Sequence, residues 1–243
     1  MSTSRHGVRH ASLHGELTNL ARPWVTAKVA DPVVGALLDG TLDPAVMRRW
    51  LEQDQIYLRT YARVFARLAS LAPDHHVQTL VDGAHFTLHT ELPRLTELAG
   101  LFDADLTRSD VGVACAEYTG HLTASAERYE SGAVAVLPCM MGFSAIGLVV
   151  EPPTEPRYRR WVEIYSAGDF QGFSARFADL VDDLDISWDE AAAIFESGMA
   201  MEVAMWNEAA AFVLLADQPT GATRAASADI VSHRLAVHVR QVG

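Results

Sequence analysis

Apolar and aromatic residues recur along this chain at steps of three and four, and no segment alternates convincingly with a period of two. That spacing puts one apolar face along a helix and leaves no candidate for a half-buried strand. The clearest stripe is Trp50, Asp54, Tyr57, Tyr61, Val64 and Leu68. Asp43-Pro44 opens it well, because aspartate caps free amides and proline suits the first helical turn. A second stripe runs Phe195, Met199, Glu202, Trp206, Ala209 and Val213, on a helix that starts near Trp188 with Ser187 or Asp189 as its cap. Between the two, the pattern predicts helices over about 76–98, with Pro93 as a kink, and over about 110–129, with a stop at Glu130-Ser131-Gly132. Another carries Cys139, Phe143 and Ile146 on one side and is broken by the proline-rich run 151–156. In a short fifth helix Tyr158, Trp161 and Tyr165 share a face. The expected fold class is an all-α helical bundle.

The chain has 243 residues, 49% of them hydrophobic, with no internal repeat and no linker long enough to divide it. The expectation is a single helical domain over 13–215, a loose N-terminus over 1–12, and a tail over 216–243 that is either disordered or packed on a neighbouring subunit. A formal net charge of −12 with no basic run argues against nucleic acid, where phosphate contacts dominate affinity. Only two cysteines are present, so a disulfide framework is not indicated and a reduced, cytoplasmic location is the simpler reading. The first residues lack the apolar centre of a signal peptide. The long apolar stretch 133–150 contains Pro138, Gly142 and Gly147 and has no close Lys or Arg flank, so it reads as a buried core helix and no membrane partner is expected.

Three groups stand out chemically. Asp54 and Glu202 each interrupt an apolar stripe, and Cys139 lies in a stretch without charge from Gly132 to Val150. Each costs stability if buried without a partner. A lone buried cysteine is usually inert packing, which is the reading for Cys115. Pro138 weakens helix hydrogen bonding beside Cys139, and free amides there would favour the thiolate. A lone inward carboxylate is more often satisfied by an Arg or Tyr, but two of them with a thiol point to a site. Tyr57, Tyr118 and Tyr165 add hydroxyls on inward faces. His85 and His89, and Glu117 and His121, have the spacing of metal pairs. A di-iron bundle would need Glu-x-x-His pairs on two helices, and the sequence has none, so neither metal nor cofactor is expected. Gly-rich phosphate loops and Gly-x-Ser-x-Gly are absent.

Taken in order, Asp39-Gly40-Thr41-Leu42, Gln53-Asp54-x-x-Tyr57-Leu58, Tyr118-x-x-His121-Leu122, Leu137-Pro138-Cys139, Tyr158-x-x-Trp161-x-x-x-Tyr165 and Glu202-x-x-x-Trp206 form a specific set. The chain resembles the TenA/THI-4 family, the thiaminase II enzymes with a haem-oxygenase-like helical fold, over about 13–215. The resemblance implies that Cys139 is a nucleophile, Glu202 a proton donor, and Asp54 the group that holds the amidine edge of a pyrimidine and supports attack. It implies that Tyr57, Tyr118 and Tyr165 line the ring pocket, that no cofactor is used, and that the assembly is a homotetramer. The implied substrates are thiamin and its degraded pyrimidines, notably 4-amino-5-aminomethyl-2-methylpyrimidine. The family usually has Tyr four residues after the nucleophile, where this chain has Phe143, a further pocket residue. That departure leaves open a relative acting on another heterocyclic or amine substrate, or a non-catalytic pyrimidine-binding protein.

Overall fold

The computed structural model describes residues 12–216. The loose N-terminus and the tail expected from the sequence lie outside these residues, apart from their innermost positions. Twelve α-helices follow in order: α1 (Leu13–Ala30), α2 (Pro32–Leu38), α3 (Pro44–Leu71), α4 (Asp74–Phe86), α5 (Leu92–Phe102), α6 (Val113–Ser125), α7 (Tyr129–Ala135), α8 (Leu137–Val149), α9 (Pro156–Ser166), α10 (Gly168–Ala175), α11 (Phe177–Asp182) and α12 (Trp188–Ala216). A single π turn, Thr87–Glu91, joins α4 to α5. No strand occurs among the described residues.

The helices start where the sequence supplies caps. Asp43 accepts from the Ala45 amide, with Pro44 in the first turn of α3. Glu155 caps α9 through the amides of Arg157 and Tyr158, and Ser187 Oγ accepts from Glu190 at the start of α12. Helix α3 packs on α4, α5, α6 and α12, and α12 also meets α1, α6, α7 and α8. The seam between α3 and α12 is marked by Trp50 and Trp206, whose rings stack 4.2 Å apart at 6°. Trp161 of α9 meets both edge-on.

Three expectations about local structure need correction. Glu130-Ser131-Gly132 does not end a helix: α6 stops at Ser125, and these residues lie inside α7. Gly132 is there because a Cβ would sit 2.5 Å from Leu68 Cδ2 and 2.9 Å from the Ala126 backbone, so glycine permits a close crossing. The helix over 76–98 is interrupted by the π turn, and Pro93 falls in the first turn of the next helix. The apolar stretch 133–150 is split at Val136. By length and composition alone, 129–149 and 188–216 could each cross a membrane, but the first is mostly buried inside the fold.

Gly147 is a second obligatory close approach. A Cβ there would lie 2.4 Å from the backbone carbonyl of Tyr165. Gly147→Ala is therefore expected to lower stability by about 1–3 kcal/mol, because backbone rather than a flexible side chain must yield. Urea denaturation checks this; an unchanged midpoint would show that α8 and α9 slide apart freely.

Candidate active site

Asp54 is held by its neighbours in sequence. Gln53 accepts from the Gly112 amide at 2.7 Å and donates to the Asp110 carbonyl at 3.0 Å, and Gln55 donates to the Arg108 carbonyl at 3.1 Å. The two glutamines thus tie the α5–α6 loop to α3, and Asp54 between them projects inward. From the other side, Glu208 of α12 accepts the amides of Val113 and Ala114, fixing the start of α6 and so the place of Tyr118.

Cys139 lies in the first turn of α8, just after the break at Val136. Tyr61 donates its hydroxyl to the Val136 carbonyl at 2.7 Å, which anchors that break. Gly198 of α12 lets Pro138 approach closely, since a Cβ there would meet Pro138 Cγ at 2.5 Å. Cys139 is 5% exposed.

Glu202 is paired with a residue the sequence reading missed. Lys28 of α1, fully buried, donates to Glu202 Oε2 at 2.6 Å. Its ammonium also lies 3.8 Å from the centroid of the Phe143 ring. Tyr118 donates to the other oxygen, Glu202 Oε1, over a long 3.5 Å. Gly142 leaves room for this arrangement, because a Cβ would sit 2.9 Å from Glu202 Oε2. The signal that could have exposed Lys28 is its isolation: it is the lone charge between Trp24 and Ala30.

These side chains enclose one cavity with two lobes. The first lobe is lined by Tyr57, Tyr118 and Glu202, and the second by Glu91, Arg94 and Tyr165. Trp50, Asp54, Cys139 and Phe143 belong to both. All seven residues expected from the sequence, Cys139, Glu202, Asp54, Tyr57, Tyr118, Phe143 and Tyr165, therefore converge on this cavity. Phe143 stacks on Tyr165 at 4.6 Å, and Tyr57 lies 4.6 Å from Tyr118. The Tyr57 hydroxyl is buried without a hydrogen-bond partner among the described residues. His85 and His89 stand together on the surface, and Glu117 is exposed, so neither histidine spacing contributes to the site.

Burial pushes the acids of the cavity towards their neutral forms, and the Lys28 ammonium opposes it at Glu202 and Asp54. Burial pushes the Asp54 carboxyl well above its ordinary range, Glu91 and Glu202 push it further, and Lys28 opposes. Burial raises Glu202, against the Lys28 ammonium and the Tyr118 hydroxyl. Cys139 does not follow the expectation of a thiolate favoured by free amides: burial raises it well above its ordinary value, and Glu202, Glu91 and Asp54 add to that. Three carboxyls around a buried sulfur outweigh a helix start. Cys115 is also buried, with its thiol pushed up to about 12 by burial, as suits inert packing.

Glu91 is a further residue that periodicity did not single out. It sits on the π turn, accepts the Thr87 hydroxyl at 2.7 Å, and is raised by burial to about 7. A carboxyl at about 7 in the fold binds more protons than the unfolded chain, with its ordinary 4.5, does across that window. Stability from this group is therefore fully present below about pH 4.5 and is lost as the pH rises towards 7. Asp54 and Glu202 act in the same sense. Glu91→Gln is expected to reduce the loss of stability between pH 5 and 8 by about 1–3 kcal/mol, read from urea denaturation at both pH values. An identical loss in the variant would contradict this placement.

A sequence model of the TENA/THI-4/PQQC family matches residues 20–211. The chain belongs to this family. Among relatives, it is 36% identical over 147 residues to the thiamine biosynthesis multifunctional protein ThiED of Corynebacterium efficiens, a match covering 56% of the chain and 19% of that protein. The chain thus spans only a small part of that multifunctional relative. It is 25% identical over 182 residues to the aminopyrimidine aminohydrolase of Halalkalibacterium halodurans, covering 71% of the chain and 81% of the relative. Among solved structures, a TenA homologue from P. horikoshii OT3 superposes with a TM-score of 0.75 at 21% identity, covering 82% of this chain and 98% of that one. The fold of this family member is the haem-oxygenase-like helical bundle.

Proposed function

We propose that the chain is a thiaminase II-type hydrolase that replaces the 5-methylene substituent of 4-amino-2-methylpyrimidines with hydroxyl, using Cys139 as nucleophile. The observation that carries this reading is the convergence of Cys139, Asp54 and Glu202 on one aromatic-walled cavity. Family membership and the likeness to an aminopyrimidine aminohydrolase support it.

In this reading Asp54 faces the amidine edge of the ring. As a neutral acid it donates its proton to the ring nitrogen and accepts from the 4-amino group, a two-point contact that withdraws electrons from the ring. The Glu202 carboxylate takes the Cys139 proton. The sulfur adds to the ring carbon beside the one bearing the methylene, the displaced electron pair expels the substituent, and Glu202 returns the proton to the departing amine. Water then adds to the exocyclic methylene and loses its proton to Glu202. The carbon–sulfur bond breaks, the restored ring gives its proton back to Asp54, and Glu202 reprotonates the thiolate. Acid and base duty alternate on one group, which suits a buried carboxyl. Aromatic walls stack the ring and exclude bulk water.

Incubation with 4-amino-5-aminomethyl-2-methylpyrimidine is expected to yield ammonia and 4-amino-5-hydroxymethyl-2-methylpyrimidine, followed by chromatography, with thiamin in parallel. Turnover of either supports the reading. Inertness towards both would defeat it and favour the second reading, a family member with another heterocyclic substrate, to which Phe143 beside Cys139 points.

A further inference from the structure

We propose that Lys28 is a positioning residue of this site: its ammonium pins one oxygen of Glu202 and favours the carboxylate form, leaving the other oxygen to face the reacting groups. The inference rests on the proposed function for its kinetic consequence, but not for its electrostatic one. Lys28 is fully buried, and its ammonium meets Glu202 Oε2 at 2.6 Å and the face of Phe143 at 3.8 Å. Such a charge is costly to bury, and a fold gains little from the pair over apolar residues of similar volume. Its location supplies the reason: α1 meets α8 and α12, which carry Cys139 and Glu202.

Four residues interlock here. Gly142 leaves space for Glu202 Oε2, Phe143 offers its ring face, and Lys28 closes the group from α1. Glu202 Oε1 is left with the long contact from Tyr118. The other titratable groups around Glu202 are Asp54, Tyr57 and Tyr61 on α3, Glu91 on the π turn, Cys139 on α8 and Tyr165 on α9. All are acids, so Lys28 is the cation that opposes protonation of Glu202. Arg94, in the second lobe, is paired with Asp169. By offsetting part of the effect of burial on Glu202, Lys28 makes its carboxylate available to take the thiol proton, the first step of the reaction.

The test compares wild type with Lys28→Gln, which removes the charge but keeps a hydrogen-bond donor, and Lys28→Arg, which keeps the charge. The carbonyl stretch of protonated Glu202, assigned by its absence in Glu202→Gln, is followed by infrared titration of the protein alone. In Lys28→Gln it is expected to persist to a pH higher by about one unit or more. In parallel, the acid limb of kcat/KM moves up by the same amount and kcat falls about tenfold or more at pH 6, with KM little changed, while Lys28→Arg stays near wild type. Gly142→Ala, which presses on Glu202 Oε2 without stranding a charge, carries the test if Lys28→Gln does not fold, with a smaller upward shift expected. An infrared titration and acid limb identical to wild type in a folded variant would overturn the proposal. An infrared shift without turnover in any variant would uphold the pair and defeat the substrate reading instead.

Discussion

Cys139→Ser is expected to lower turnover of 4-amino-5-aminomethyl-2-methylpyrimidine by ~10³-fold or more while leaving the fold and product binding unchanged. Serine is close in size, and Cys139 sits at the junction of the two lobes, so no large cavity or clash arises. The loss comes from chemistry. A hydroxyl is far less acidic than a thiol, and the three carboxyls that already oppose ionisation of Cys139 would oppose an alkoxide more strongly. Proton transfer to Glu202 costs less from a thiol than from a hydroxyl. Side-by-side kinetics, with tryptophan fluorescence of the Trp50 and Trp206 pair as the binding readout, check both halves of the statement. A variant with near wild-type kcat would remove covalent catalysis from the account.

Asp54 is the second group with a large expected effect, and its two substitutions separate binding from chemistry. An amide can still accept from the 4-amino group and donate to the ring nitrogen, so Asp54→Asn preserves the two-point contact. It carries no transferable proton. Its kcat is therefore expected to fall by ~10²–10³-fold with KM within a few-fold of wild type. Asp54→Ala loses the contact as well, and KM rises by about 10–100-fold in addition. The raised pKa of Asp54 gives the direction of the pH effect: the neutral form that donates a proton persists to higher pH than an ordinary aspartic acid allows. Equal kcat values for Asp54→Asn and wild type would show that Asp54 only holds the substrate.

The stripe over Trp50–Leu68 made α3 readable because a long amphipathic helix repeats its pattern seven or eight times. The same logic exposed Asp54 and Glu202, since a carboxylate on such a stripe has no simple structural reason. Periodicity failed where helices are short or buried on all sides. In α7 and α8 nearly every residue is apolar, so the break at Val136 leaves no trace in spacing, and only Pro138 hints at it. Helices α1 and α2 were not marked, and with them went Lys28, because one lysine in an apolar stretch reads as a surface residue. Glu91 was missed because a π turn adds a residue to the repeat and rotates its side chain away from the stripe that a 3.6-residue period predicts. Which groups share a cavity is a matter of tertiary packing. The ordered motifs named the first lobe and Tyr165 of the second, and the second lobe's Glu91 and Arg94 came from the structure alone.

The central claim is that the Cys139 cavity is where a pyrimidine reacts. Its most direct test is alkylation with iodoacetamide, mapped by peptide mass spectrometry and run alongside the turnover assay, with and without 4-amino-5-hydroxymethyl-2-methylpyrimidine. The account predicts modification of Cys139 ahead of Cys115, activity lost in proportion to Cys139 modified, and both slowed by the pyrimidine. Activity that survives stoichiometric modification of Cys139 would contradict it.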